Sequence, residues 1–185
     1  MQTNWQKAEK ILKNDGVVVL PTDTLYGIIG KAMSKKAVDI IYKIKERNNK
    51  KPFILLINSY KNLNKFGVKL NKEQAKFLEK IWPGKVSVIL SCKNPKWKYI
   101  HLGTNSIAFR MISPKCKNLY NLINKVGPLV APSANLEGKK PAETIDEAKK
   151  YFENKIDLYI SSGRRKQNPS RLISYLNKKP VVLRK

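Results

Sequence analysis

The run Gly16-Val17-Val18-Val19-Leu20, uncharged throughout and stopped by Pro21, limits the possible folds more than any other stretch of this chain. Its apolar, β-branched character reads as a strand buried within a sheet. Similar runs recur at Phe53 to Ile57, Val86 to Leu90, Ile107 to Ile112 and Pro128 to Ala131, with further strands near residues 157–161, 172–176 and 181–183. Helical patterns fill the intervals. Residues 3–14 have Thr3 as an N-cap, and Ser34 opens a helix whose apolar face is Ala37, Ile40, Ile41 and Ile44, ending near Arg47. Asn71 to Trp82 turns Ala75, Phe77, Leu78 and Ile81 inward and is stopped by Pro83-Gly84. Another helix covers 116–126, and Thr144-Ile145-Asp146-Glu147 is a capping box opening one that runs to about Phe152. Alternation of strands and helices predicts an α/β (α+β) fold, a mixed sheet covered by helices. With no repeat, linker or composition break, residues 1–185 read as a single domain.

A chain of 185 residues buries roughly 70 % of its unfolded surface. No apolar run approaches the ~20 residues of a membrane span. The start, Met1-Gln2-Thr3-Asn4-Trp5-Gln6, lacks the apolar core of a signal peptide. Cys92 and Cys116 read as reduced core residues, and the expected compartment is the cytoplasm. A net charge of +25 invites a nucleic-acid partner, but only six of the 38 basic residues are arginine (Arg47, Arg110, Arg164, Arg165, Arg171 and Arg184). Lysine is spread along the whole chain, as a compositional bias at solvated positions would also spread it. The sparse arginines carry more information, because a planar fork suits carboxylate and phosphate.

Five segments hold candidate chemistry. Pro21-Thr22-Asp23-Thr24-Leu25-Tyr26-Gly27 crowds hydroxyls, a carboxylate and a phenol after a buried strand, the usual place for ligand contacts in an open α/β sheet. Lys45-Glu46-Arg47 closes a helix, where cations also complement the helix dipole. A Lys-rich turn and a strand follow at once, and Lys51 precedes Pro52, which constrains its backbone. In Ser106-Ile107-Ala108-Phe109-Arg110, alternation puts Ser106, Ala108 and Arg110 on one face, either a pocket wall or a solvated edge. Ala131-Pro132-Ser133-Ala134-Asn135 places Ser133 and Asn135 alternately, so that both could face one ligand.

Other chemistries are excluded. Gly27-Ile28-Ile29-Gly30-Lys31 has Ala32 where a phosphate loop needs Ser or Thr, and no Gly-x-Gly-x-x-Gly occurs. His101 is the one histidine and lies in a polar loop, so zinc sites and Ser-His-Asp catalysis have little to rest on. Trp5, Trp82 and Trp97 read as core or anchoring aromatics.

Taken together, the segments resemble the YrdC-like family, the threonylcarbamoyl-AMP synthases of tRNA modification. The likeness runs from about Gly16 to Arg184. It also includes Trp82-Pro83-Gly84, Pro169-Ser170 and Val182-Leu183-Arg184, and the chain looks like the short type without a second domain. The resemblance implies a twisted sheet around a large basic cavity and a reaction joining L-threonine, bicarbonate and ATP. The products would be threonylcarbamoyl-adenylate and pyrophosphate, and a separate transferase complex would pass the group to the adenosine beside the anticodon. Carried over by motif, Thr24, Arg110, Ser133 and Ser170 would hold threonine. Arg47, Lys51, Ser106, Asn135 and Arg184 would hold ATP, with Lys45 and Arg47 at the reacting centre. Mg2+ would accompany the triphosphate with no dedicated metal site. Ser170-Arg171-Leu172-Ile173-Ser174 departs from the Ser-Thr-Val-Val-Asp of many members. The rival reading is a tRNA- or rRNA-binding protein of the same fold that performs no adenylation.

Overall fold

Burial of both faces of the first strand organises the molecule. The computed structural model describes residues 2–46 and 52–185. In β1 (Val18–Pro21), Val19 packs into one apolar cluster while Val18 and Leu20 pack into another on the opposite face. Helix α1 (Asn4–Lys13), with Thr3 as its cap, contributes Ala8 and Leu12 to the second cluster. Its partner there is α6 (Lys117–Val126), through Leu119, Leu122 and Ile123. On the other face, α2 (Lys35–Ile44), capped by Ser34, supplies Val38 and Ile41, and α7 (Ile145–Phe152) supplies Ala148 and Phe152.

Between these layers lies one nine-stranded sheet in the order β7-β1-β2-β6-β3-β5-β4-β8-β9. The remaining strands are β2 (Tyr26–Lys31), β3 (Ile54–Ile57), β4 (Val86–Ser91), β5 (Ser106–Met111), β6 (Leu129–Val130), β7 (Leu158–Tyr159), β8 (Arg171–Ser174) and β9 (Val181–Arg184). Pairing is mixed: β3 with β5 and β4 with β8 are parallel, whereas β1 with β2 and β4 with β5 are antiparallel. Helix α4 (Lys72–Ile81) is capped by Asn71 and buries Leu78. The expected mixed sheet with flanking helices is therefore the observed architecture.

The departures have physical causes. Strand β2 escaped notice because Gly27 and Gly30 weaken a strand pattern. Both are close-approach positions: a Cβ on Gly27 would lie 3.1 Å from Thr22 Cγ2 and 3.3 Å from the Pro132 carbonyl oxygen. The segment between β4 and β5, read as a loop, contains α5 (Lys98–His101), and a further short helix, α3 (Lys61–Asn64), follows β3. His101 is buried at the end of α5, where Nδ1 accepts from the Gly103 amide at 3.2 Å, a turn-holding role. Cys92 is buried as expected, but Cys116 is only half-buried, and burial pushes both thiols up. At α7 the Thr144 hydroxyl accepts from Glu147 N as a cap should, yet the Glu147 carboxylate reaches back to Glu143 N at 2.8 Å rather than to Thr144. No helix among the described residues is long and apolar enough to cross a membrane.

Candidate active site

The face of β5 opposite Ile107 and Phe109 is not packed into the core. Ser106, Ala108 and Arg110 of β5, Ile89 of β4, Ile54 of β3 and Leu172 of β8 face a cavity of about 580 Å³. Such a volume lies within the ordinary range for small-molecule sites. The β1–β2 turn brings Thr22 and Thr24 to it, the chain after β6 brings Pro132 and Ser133, and Pro169, Ser170 and Arg184 close the far side. The pocket-wall reading of β5 thus replaces that of a solvated edge.

Arg110 is the deepest cation there, with 5 % of its surface exposed. Its Nη1 donates to Thr24 Oγ1 at 3.3 Å, and its Nη2 lies 3.0 Å from Asp23 Oδ1. That ion pair is close but not aligned for hydrogen bonding, which leaves Asp23 Oδ1 and Arg110 Nε without hydrogen-bond partners. Burial pulls the guanidinium below its ordinary value, Asp23 opposes the shift, and Arg184 adds to it. The result is a desolvated cation in the cavity wall whose charge is only partly compensated by protein groups, an arrangement that suits an incoming carboxylate.

Hydroxyls extend the site. Thr22 Oγ1 donates to the Leu25 carbonyl at 2.7 Å and lies 3.2 Å from Thr24 Oγ1, so the turn fixes both side chains. Ser170 Oγ sits 2.9 Å from Ser87 Oγ, a fully buried group on β4. Arg184 grips the Ser170 carbonyl with Nε at 3.0 Å and Nη2 at 2.8 Å, and partial burial lowers its pKa.

Of the ten residues the resemblance singled out, Thr24, Ser106, Arg110, Ser133, Ser170 and Arg184 come together around this cavity. Arg47 and Lys51 lie outside the described residues. Lys45 and Asn135 do not line the cavity. Lys45, 1 % exposed, donates through Nζ to the Ser133 carbonyl at 2.6 Å and to the Asn135 carbonyl, supporting the Ser133–Asn135 loop from behind. Asn135 points the same way: its Nδ2 donates to Leu136 O and Lys139 O, and its Oδ1 accepts from Ser133 Oγ at 2.6 Å. The alternation argument failed because this segment is a folded loop, not an extended strand. Only Ser133 of the pair reaches the cavity, through an isolated bridge to Gly27. The Asp23 carboxylate belongs to the turn that the sequence marks as candidate chemistry, whereas nothing in the local sequence marks Ser87 or Arg165.

Against known proteins, the chain matches the Sua5/YciO/YrdC family, described as telomere recombination, over residues 10–185. It is 30 % identical to a putative threonylcarbamoyl-AMP synthase of Methanocaldococcus jannaschii, across 99 % of this chain and 89 % of that one. A threonylcarbamoyl-AMP synthase of Photorhabdus laumondii is 31 % identical over 87 % of this chain and 86 % of its own length. The crystal structure of P. abyssi Sua5 complexed with L-threonine superposes with a TM-score of 0.89 at 26 % identity, covering 100 % of this chain and 55 % of that one. The chain therefore spans about half the length of that solved relative. A family match across nearly the whole sequence, joined to a 30 % identical relative covered almost end to end, means that this chain belongs to the Sua5/YciO/YrdC family.

Proposed function

We propose that this protein condenses L-threonine, bicarbonate and ATP into threonylcarbamoyl-AMP, releasing pyrophosphate, for threonylcarbamoyl modification of tRNA. The observation that carries the reading is Arg110, a buried cation in the cavity wall that, with the neighbouring residues Thr24, Ser133 and Ser170, forms a niche for a small amino acid carboxylate. The names of its relatives support the same reaction.

Threonine would bind with its carboxylate on Arg110 and its polar groups among the Thr24, Ser133 and Ser170 hydroxyls. Its amine and carbon dioxide form a carbamate, whose oxygen attacks the α-phosphorus while pyrophosphate leaves. An anion attacking a polyanion needs alignment and charge neutralisation more than a proton-transfer group. Ser106 and Arg184, which line the same cavity, are assigned to ATP by motif, as Arg47 and Lys51 are to its phosphates. Lys45 acts by holding the loop that carries Ser133, and Asn135 by bracing that loop from within. Mg2+ would travel with the triphosphate as part of the substrate. Cytoplasmic residence and delivery to a separate transferase complex belong to the same reading.

The test is pyrophosphate release from ATP and bicarbonate with single amino acids. Release that depends on threonine is expected, and its absence under all conditions overturns the assignment. The +25 charge favours an additional contact with RNA. Salt-sensitive RNA binding without any pyrophosphate release would point to the rival RNA-binding role.

A further inference from the structure

The connection from β7 to β8 crosses almost the whole sheet. β7 stands first in the strand order and β8 eighth, so seven interstrand steps of about 4.8 Å separate them, about 34 Å on a flat sheet. From Tyr159 to Arg171 the chain can reach at most about 40–43 Å. Sheet curvature shortens the span that residues 160–170 bridge as a strap. Its end, Pro169 and Ser170, lines the cavity.

Arg165 lies at the midpoint of this strap and is the only residue of 161–169 that is not exposed. Its guanidinium turns inward to the β1–β2 turn. Nη2 donates to the Thr22 carbonyl at 2.8 Å, Nε to the Thr24 carbonyl at 3.4 Å, and Nη1 to Ser162 Oγ at 3.3 Å. The two carbonyls it holds belong to the residues whose hydroxyls face the cavity. Its own amide donates to the Glu143 carbonyl at 2.7 Å. Upstream, the Tyr26 hydroxyl donates to Gly163 O at 2.6 Å and accepts from Ser162 N at 2.9 Å, with Gly163 in the left-handed region at φ +77°.

We propose that Arg165 is a positioning residue that pins the strap to the Thr22–Leu25 turn and so fixes both sides of the threonine niche at once. One guanidinium holds the turn bearing Thr24, and the short chain onward to Ser170 transmits that anchorage to the opposite wall. The substrate assignment rests on the proposed synthase activity, but the pin itself does not.

The experiment therefore has two readouts. In Arg165→Ala, amide hydrogen exchange in segments 22–25 and 161–168 of the free protein is expected to rise about tenfold, with the α1 and α6 amides unchanged. The KM for threonine is expected to rise about tenfold while kcat and the KM for ATP stay within about twofold. Arg165→Lys, whose single ammonium cannot fork to both carbonyls, should fall between Ala and wild type. Arg164→Ala, altering the neighbouring exposed arginine that pairs with Glu143 at 2.9 Å, should leave the threonine KM unchanged. Unchanged exchange in segments 22–25 and 161–168 overturns the pin, and so does an equal loss for threonine and ATP. If the wild type releases no pyrophosphate with threonine, the synthase reading falls, and the exchange measurement still decides the fate of the pin.

Discussion

Lys45 and Arg110 are both buried cations, one behind a loop that borders the cavity and one in the cavity wall, and they show two opposite uses of a desolvated charge. Lys45 is sealed at 1 % exposure and spends its ammonium on the carbonyls of Ser133 and Asn135. Arg110 is nearly as buried, but it lies in the cavity wall, held by Thr24 Oγ1 and beside the Asp23 carboxylate, with Nε left without a hydrogen-bond partner. Burying a charge is costly unless protein groups replace its water. Where replacement is thorough the cation is a strut, and where it is partial the remaining demand becomes affinity for a ligand.

The sharpest way to break this contrast is to remove each cation and ask which property fails. Arg110→Ala should lower kcat/KM for threonine by about 100-fold or more, because the lost group would meet the ligand's carboxylate directly. Arg110→Lys should recover little, since an ammonium presents no fork. Folding should survive, and denaturant midpoints measured alongside pyrophosphate release would show it. An Arg110→Ala protein that keeps its threonine turnover would end the claim that this guanidinium is a ligand site.

Lys45→Met should do the reverse. The apolar stem is kept, but the Ser133 and Asn135 carbonyls lose their donor inside the protein, and about 2–4 kcal/mol of stability should go with it. Urea unfolding would report this as a lower midpoint at unchanged slope. Activity should decline as the Ser133 loop loosens, and it should decline less at temperatures well below unfolding. A Lys45→Met protein as stable as wild type but inactive would make Lys45 a reacting group after all.

These two residues also mark what a linear reading could reach. Arg110 was legible because strand alternation is local: Ser106, Ala108 and Arg110 had to share a face, and only the identity of that face was open. Lys45 was not, because a cation at a helix end looks the same whether solvent or a distant loop receives it. Asn135 misled for a related reason, since period-two spacing has meaning only in extended backbone, and this segment folds back on Lys139 O. The burial of β1 was readable from the apolar run Val17-Val18-Val19-Leu20. The hairpin partner β2 was obscured by glycines whose purpose, close approach to Thr22 and Pro132, exists only in three dimensions.

A moderate effect separates the two walls of the niche. Ser170 is anchored by Ser87 at 2.9 Å and by Arg184 through its carbonyl, so it has support on two sides. Ser87→Ala removes one buried partner and should cost about 1 kcal/mol or slightly more, together with a few-fold rise in threonine KM. If Arg184 alone suffices, KM will not move, and the Ser87 hydroxyl is then only a packing element.

The smallest effect belongs to a half-buried carboxylate at the surface. Glu9 on α1 accepts from Lys13 Nζ at 2.8 Å and from Lys125 Nζ on α6 at 3.0 Å, and those hydrogen bonds hold its carboxyl below the usual carboxylate range. A depressed folded-state pKa gives stabilisation that is present above the unfolded value and lost as pH falls through the folded one. Both helices cover the same apolar cluster, so the link across them should be felt in α1 docking. Glu9→Gln should therefore lower the thermal midpoint slightly at neutral pH, and the difference from wild type should vanish on acidification below the carboxylate range. Salt should erase it as well, because water screens such a pair. Were the difference to persist in acid, the helices would be held by packing alone, and surface charge would contribute nothing to the layer that backs the sheet.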